Sequence, residues 1–187
     1  DEWRQQALGC MRQDPVVTPN LDRLASEGML LTHAVSNRPV CSPYRAMLFT
    51  GKYPMANHVP SNCNSKTAGA GCYLREDEIC LTDVLARSGY CQGYIGKFHL
   101  DPPNPELNAF TEGPRRDGVI WDAYTPPGPR RHGIDFWHAY GCCDMHMNPH
   151  YWQGQDPVEK RIEPKRWSVW HETDVALKFI RNHGGEH

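Results

Sequence analysis

The chain has 187 residues, of which 39% are hydrophobic and 22% charged, with a formal charge of −2. This length supports one domain with a real core, and the composition excludes an intrinsically disordered chain. The small negative charge argues against a general nucleic-acid binder, and the lack of any run of about 18 apolar residues argues against a membrane span.

In chain order, "TPNLDRLASEG" predicts a short helix. Thr18 can cap it, Pro19 fits the first helical position and Gly28 fits the stop. Leu21, Leu24 and Ala25 would form its buried stripe. "MLLTHAVS" then reads as a strand, and "SPYRAMLFTG" as a second helix with Pro43 near its start and Gly51 after its end. "EDEICLTDVLARSG" predicts a third helix ending at Gly89, followed by a short strand in "YCQGYIG". Alternating strands and helices indicate an α/β fold with a mostly parallel sheet flanked by helices. Residues 101–131 are rich in Pro, Gly and charge, and a connection this long inside a compact domain is usually functional or disordered. "HGIDFWHAYGCCDMHMNPHYW" follows, crowded with aromatic and His side chains. The last segment predicts a helix with Val169, Thr173, Ala176, Leu177 and Ile180 on one face and Gly184 and Gly185 ending it.

The eight cysteines permit disulfides in an oxidising compartment. No C-x-x-C occurs, so a zinc ribbon or thioredoxin motif is not supported. Cys63 and Cys72 flank the Gly-rich "CNSKTAGAGC" and are one place for a bridge, although sequence does not fix connectivity. Cys142, Cys143, His146 and His150 are potential metal ligands, but their spacing fits no common zinc site.

Cys41 directly precedes the predicted helix start, where free backbone N–H groups and the helix dipole favour an anion. Arg45, one turn on, can return to the same place with a bidentate fork. A buried structural cysteine fits the same residues. Lys97 and His99 lie two apart and would project together from an extended segment. Lysine offers a compact positive charge and histidine a group that titrates near neutrality, although "GKFHL" alone also reads as a surface turn. Asp1 and Glu2 offer hard oxygen ligands, or are two solvated acids. Asp144, His146 and the aromatics Tyr151 and Trp152 are candidates for a substrate pocket, with surface packing as the alternative.

The stretch "CSPYRAMLFTG" resembles the C-x-P-x-R…T-G signature of the type I, formylglycine-dependent sulfatases of the alkaline-phosphatase-like superfamily, with Tyr44 where most members have Ser. "DEWRQQALGC", "VVTPNLDRLASEGMLLTHAVSNRPVCSP" and "LARSGYCQGYIGKFHL" resemble further segments of that family in the same order, Phe98 replacing a usual Trp. "YTPPGPRRHGIDFWHAYGCCDMHMNPHYW" resembles a stretch of a bacterial subset. The resemblance covers nearly the whole chain, which is identified as the N-terminal portion of a sulfatase catalytic domain with the long loop 101–131 inside it.

What the resemblance implies is specific. Cys41 becomes a formylglycine, made by a formylglycine-generating or related maturase, whose hydrated aldehyde attacks sulfur. Arg45, Lys97 and His99 serve catalysis, Lys97 as sulfate binder and His99 as partner to the hydroxyl. Ca²⁺ (or Mg²⁺) is held by Asp1, Glu2 and residue 41. The substrate is a sulfate monoester on a small molecule or glycan, most consistently a sulfated carbohydrate. Further site residues are expected beyond His187, so the 187-residue chain alone is expected to be inactive. Export to the periplasm or outside suits the cysteine count. Phosphonate or phosphodiester hydrolases share these motifs, and a non-catalytic relative would retain them by descent.

Overall fold

A computed structural model of the protein describes residues 3–142 and 145–184. The chain divides into two compact units, Asp1–Asn37 and Arg38–His187.

In the first unit, helix α1 (Pro19–Glu27) starts on Pro19 as expected. Leu21 and Leu24 are exposed, however, so the expected apolar stripe is not what holds it. The helix is anchored by polar groups: Asp22 Oδ1 accepts from the Cys10 N–H and the Thr18 hydroxyl, both at 2.8 Å. The segment from Met29 to Ser36 forms no strand. Its Met29, Leu31 and Val35 are exposed, so no packed neighbour selects an extended ladder there.

The second unit carries three further helices and a small mixed sheet. Helix α2 (Cys41–Thr50) begins on Cys41 itself, and Gly51 closes it at φ 66 with its N–H on the Met47 carbonyl. A left-handed residue at this place is where glycine is favoured. Helix α3 (Leu81–Arg87) is shorter than the sequence suggested, because a capping box between Cys80 and Asp83 fixes its start. Strand β1 (Gly93–Lys97) pairs in parallel with β2 (Phe136–Tyr140), and β2 pairs antiparallel with the two-residue β3 (Trp152–Gln153). Residues 101–131 are mostly irregular with short 3₁₀ turns.

Helix α4 (Ser168–His183) forms where expected, but its packed face is rotated. Val169, Leu177 and Ile180 are exposed. His171, Glu172, Val175 and Phe179 instead turn inward, with Tyr151 donating to Glu172 at 2.8 Å and Phe136 packing on Phe179 at 5.2 Å.

The main core joins Ala46 and Phe49 of α2 to Phe98, Leu100, Trp137 and Ala139. Its aromatic rings meet edge-on or stacked at 5.0–5.8 Å, the geometry ring quadrupoles favour. Phe98 fills this cluster, so the residues on either side of it, Lys97 and His99, are held against a rigid interior. A second core gathers Tyr140, Tyr151, Trp152 and Val158. Among the described residues no helix is long and apolar enough to cross a membrane.

Candidate active site

Cys41 is the first residue of α2, half-buried at the end where unpaired amides gather. No side chain caps the helix at Val40, but Asn62 reaches in from its loop and accepts the Ser42 N–H at 3.0 Å. Pro43 has no N–H to satisfy, which suits this first turn. The Lys97 ammonium lies 3.7 Å from Cys41 Sγ. Lys97 is the last residue of β1 and is only 8% exposed. The parallel pairing with β2 and the aromatic cluster beneath therefore carry its charge to the helix N-terminus.

Arg45 reaches the backbone of Lys97. Its Nη1 donates to the Lys97 carbonyl at 2.7 Å and meets the Tyr94 hydroxyl at 3.2 Å, while that hydroxyl also donates to the Lys97 carbonyl at 2.5 Å. Burial pushes the Tyr94 phenol above its ordinary pKa, so it remains a donor. Arg45 thus fixes the backbone that presents Lys97.

His99 departs from the extended geometry expected of the segment. Strand β1 ends at Lys97, and His99 adopts φ 51. The chain turns there, and a left-handed histidine is sustained only because its neighbours over-determine it. Its Nε2 lies 2.9 Å from the Cys63 carbonyl, which can only accept, so Nε2 carries the proton and Nδ1 is the acceptor nitrogen of the neutral ring. The Ser42 hydroxyl, fully buried, donates to the His99 carbonyl at 2.7 Å and accepts the Cys63 N–H at 3.0 Å. Ser42 therefore locks α2, the His99 turn and the Cys63 loop together. The side wall next to His99 is Trp121, with ring centroids 6.2 Å apart.

Of the ten residues singled out from sequence, Cys41, Arg45, Lys97 and His99 lie on α2 and at or just after the end of β1, while Tyr151 is fully buried in the second core. Asp1, Glu2 and Asp144 lie outside the described residues. His146 is exposed, and its Nδ1 meets the Ser168 hydroxyl at 2.8 Å at the start of α4. Trp152 is 1% exposed and donates its indole N–H to the Val158 carbonyl at 2.9 Å, which makes it a core residue rather than a pocket wall. Sequence reasoning missed Ser42, Asn62 and Trp121. Ser42 alone left a signal, a small hydroxyl residue directly after Cys41 at a helix start.

Cys63 and Cys72 do not bridge; each thiol donates to a backbone carbonyl, of Asp101 at 3.1 Å and Ser61 at 3.2 Å. Burial, with Asp101 nearby, pushes the Cys63 thiol well up, so it stays protonated. Among the described residues the one group of three metal-ligand types is Cys80, Asp83 and His132, at the start of α3 and not at Cys41. It behaves as a helix cap. Asp83 accepts the Cys80 N–H at 2.8 Å and faces His132 Nδ1 at 3.1 Å, and burial pushes the Cys80 thiol up to about 12. A soft, protonated thiol does not suit a hard cation. The Cys41 thiol and the Lys97 ammonium beside it do not by themselves compose a divalent site.

A half-exposed residue on a helix N-terminus, with a buried ammonium at its side atom, is arranged to hold an anion and to stabilise charge on it. Comparison with known proteins shows the family. The chain is 42% identical to an endo-4-O-sulfatase of Bacteroides thetaiotaomicron across 98% of its own length and 37% of that protein's. It is 38% identical to an ulvan-active sulfatase of Formosa agariphila, over 86% of this chain and 26% of that one. A solved Bacteroides fragilis protein assigned as the sulfatase yidJ superposes with a TM-score of 0.89 at 42% identity, covering 98% of this chain and 39% of the other. The chain thus spans less than half the length of these relatives. The sequence model of the Sulfatase family matches residues 1–127, and the chain belongs to that family, with its alkaline-phosphatase-like α/β fold.

Proposed function

We propose that the whole protein hydrolyses sulfate monoesters on a sulfated carbohydrate, with a formylglycine made from Cys41 as the nucleophile. The observation that carries this is the Lys97 ammonium 3.7 Å from Cys41 Sγ at the first turn of α2. Sulfatases of this family generally use a formylglycine and a divalent metal. A carbohydrate substrate is favoured by relatives named for 4-O-sulfate and for ulvan, and by one solved in work on glycosaminoglycan metabolism.

A hydrated aldehyde at residue 41 supplies two hydroxyls, one to attack sulfur and one to release sulfate afterwards. Lys97 binds a sulfate oxygen and holds the charge that grows on the transferring group. Arg45 and Tyr94 keep the Lys97 backbone in place. His99, its Nε2 proton fixed on Cys63, presents Nδ1 as the nitrogen that takes or returns a proton at the hydroxyl or the leaving oxygen. Calcium or magnesium would add Lewis-acid charge. Asp1 and Glu2 are the acidic candidates for its ligands.

The test uses the full-length protein, co-expressed with a maturase and assayed on sulfate and phosphonate aryl esters and on sulfated oligosaccharides. Intact mass of the Cys41 peptide should show conversion of the thiol to the aldehyde. Lys97→Ala should lower kcat/KM for sulfate esters by about 10²–10³-fold, the scale for losing one preorganised charge-stabilising donor. Faster turnover of the phosphonate, or a residue 41 that stays a thiol with sulfate release intact, would sink the reading.

A further inference from the structure

Beside His99 the site wall carries positive charge that the catalytic groups do not use. Residues 113–121 form a tight hairpin. Pro114 and Ile120 bridge antiparallel, the Arg115 N–H donates to the Val119 carbonyl at 2.9 Å, and the Gly118 N–H donates to the Arg115 carbonyl at 2.8 Å. Gly118 takes φ 74, a turn conformation that suits glycine. Ser65 ties down the base of the hairpin twice: its N–H donates to the Ile120 carbonyl at 2.9 Å, and its hydroxyl accepts the Ile120 N–H at 3.0 Å. The tip is thus fixed by its own backbone and by the loop that carries Cys63.

Arg115 and Arg116 stand exposed on this tip and, with Trp121, line an open cleft of about 850 Å³. The Arg115 guanidinium lies over the Trp121 ring, 5.2 Å from its centroid, and that ring is the one 6.2 Å from His99. Two carboxylates share the cleft, Glu112 turned to groups outside it and Asp117 tied to its own hairpin. Glu112 lies 3.3 Å from His150 Nδ1 and 3.8 Å from Arg161, and Asp117 Oδ1 accepts the Val119 N–H at 3.1 Å. Among the described residues neither arginine side chain has an ion-pair or hydrogen-bond partner. The buried Trp121 Nε1 also lacks one.

We infer that Arg115, Arg116 and Trp121 form a subsite for a sugar ring bearing a carboxylate, next to the sugar whose sulfate is cleaved at residue 41. The inference rests on the sulfatase reading of that site. A guanidinium fork matches a planar carboxylate with two parallel hydrogen bonds. Arg115 is already stacked on Trp121, so little freedom is lost when it takes a ligand. Two unspent cations at the mouth of the site also raise the local concentration of a polyanionic chain. A neutral aryl sulfate gains nothing from either group.

The full-length, matured enzyme is assayed on a sulfated disaccharide with a neighbouring uronic acid, on the same disaccharide with that carboxyl reduced to the alcohol, and on the reduced form carrying a second sulfate. Reduction should lower kcat/KM by about 10–100-fold, mainly through KM, the scale of one or two charge-assisted hydrogen bonds. In the double variant R115A/R116A the acidic and reduced substrates should be cleaved within about twofold of one another. A wild type that does not distinguish them, or a double variant that still does, overturns the proposal. Recovery by the second sulfate overturns the carboxylate assignment in favour of a doubly sulfated ligand. If the enzyme cleaves no sulfate ester at all, the sulfatase reading has failed. Calorimetric titration of the uronic-acid disaccharide then decides the subsite alone: tenfold weaker binding by the double variant upholds it, and equal binding overturns it.

Discussion

At the residue scale, Ser42 has the strongest claim to attention among the residues the motif reading passed over. Its hydroxyl joins the His99 carbonyl to the Cys63 N–H inside the protein. Ser42→Ala leaves the Cys63 amide without that acceptor in a buried place, which costs about 1–3 kcal/mol. Chemical denaturation should show that loss, and on the proposed function kcat of the full-length enzyme should fall more than KM changes, because the His99 turn is loosened. An unchanged denaturation midpoint would remove Ser42 from this role. The resemblance named Cys41, Arg45, Lys97 and His99 because each carries its chemistry in its own side chain. Ser42 acts only through partners 21 and 57 positions away, and such long-range pairing leaves no local trace. The left-handed backbone of His99 was equally hidden, since an isolated histidine gives no sign of positive φ. Nothing in the structure explains Tyr44, whose side chain is 46% exposed on α2.

At the element scale, punctuation was legible and orientation was not. Pro19, Pro43 and Gly51 mark helix ends by local stereochemistry, so α1 and α2 fall where the residues indicate, whereas the Cys80–Asp83 box that starts α3 late was not read from the sequence. Strand β2 was read only as an aromatic-rich stretch, because "FWHAY" is buried on both faces and shows no alternation. The face of α4 was misjudged because polar contacts to Tyr151 and His138 decide it, not its aliphatic residues. The turn after β2 is held by close backbone approach. A Cβ on Gly141 would sit 2.4 Å from the Ala123 amide nitrogen and 2.6 Å from Asp122 Oδ1. Asp122 there accepts the Cys142 N–H at 3.0 Å and pairs with His150 at 2.9 Å. Burial raises its pKa, but these hydrogen bonds outweigh burial and hold the carboxyl below its ordinary range. Gly141→Ala should therefore destabilise by about 1–3 kcal/mol through overpacking, measured by urea unfolding. A change under about 0.5 kcal/mol would mean the turn relaxes freely.

At the scale of the whole molecule, the interior sets a pH dependence. His138 is 2% exposed, its Nε2 lies 2.9 Å from His171 Nε2, and burial followed by the neighbouring His171 lowers its pKa to about 4. His171 is lowered as well, chiefly by burial. The unfolded chain takes up a proton near pH 6.5, while the folded protein resists until about pH 4. Between those values the unfolded state holds more protons, so stability falls as pH falls. Between pH 7 and 5 the His138 contribution amounts to a loss of roughly 2 kcal/mol. The variant His138→Gln should flatten that part of the curve in denaturation experiments, and a parallel curve would show that other groups govern it.

The same burial fixes an order in time. Ser42 and Pro43 are fully enclosed once α2 packs, so these two residues after Cys41 cannot be gripped in the finished protein. On the proposed formylglycine reading, a maturase that identifies its target by that proline would have to meet the chain while this stretch is still extended. Folding and oxidation would then compete for each new molecule, and one that folds first would keep its thiol. The yield of competent enzyme would become a kinetic quantity, set by how long residues 41–45 remain open.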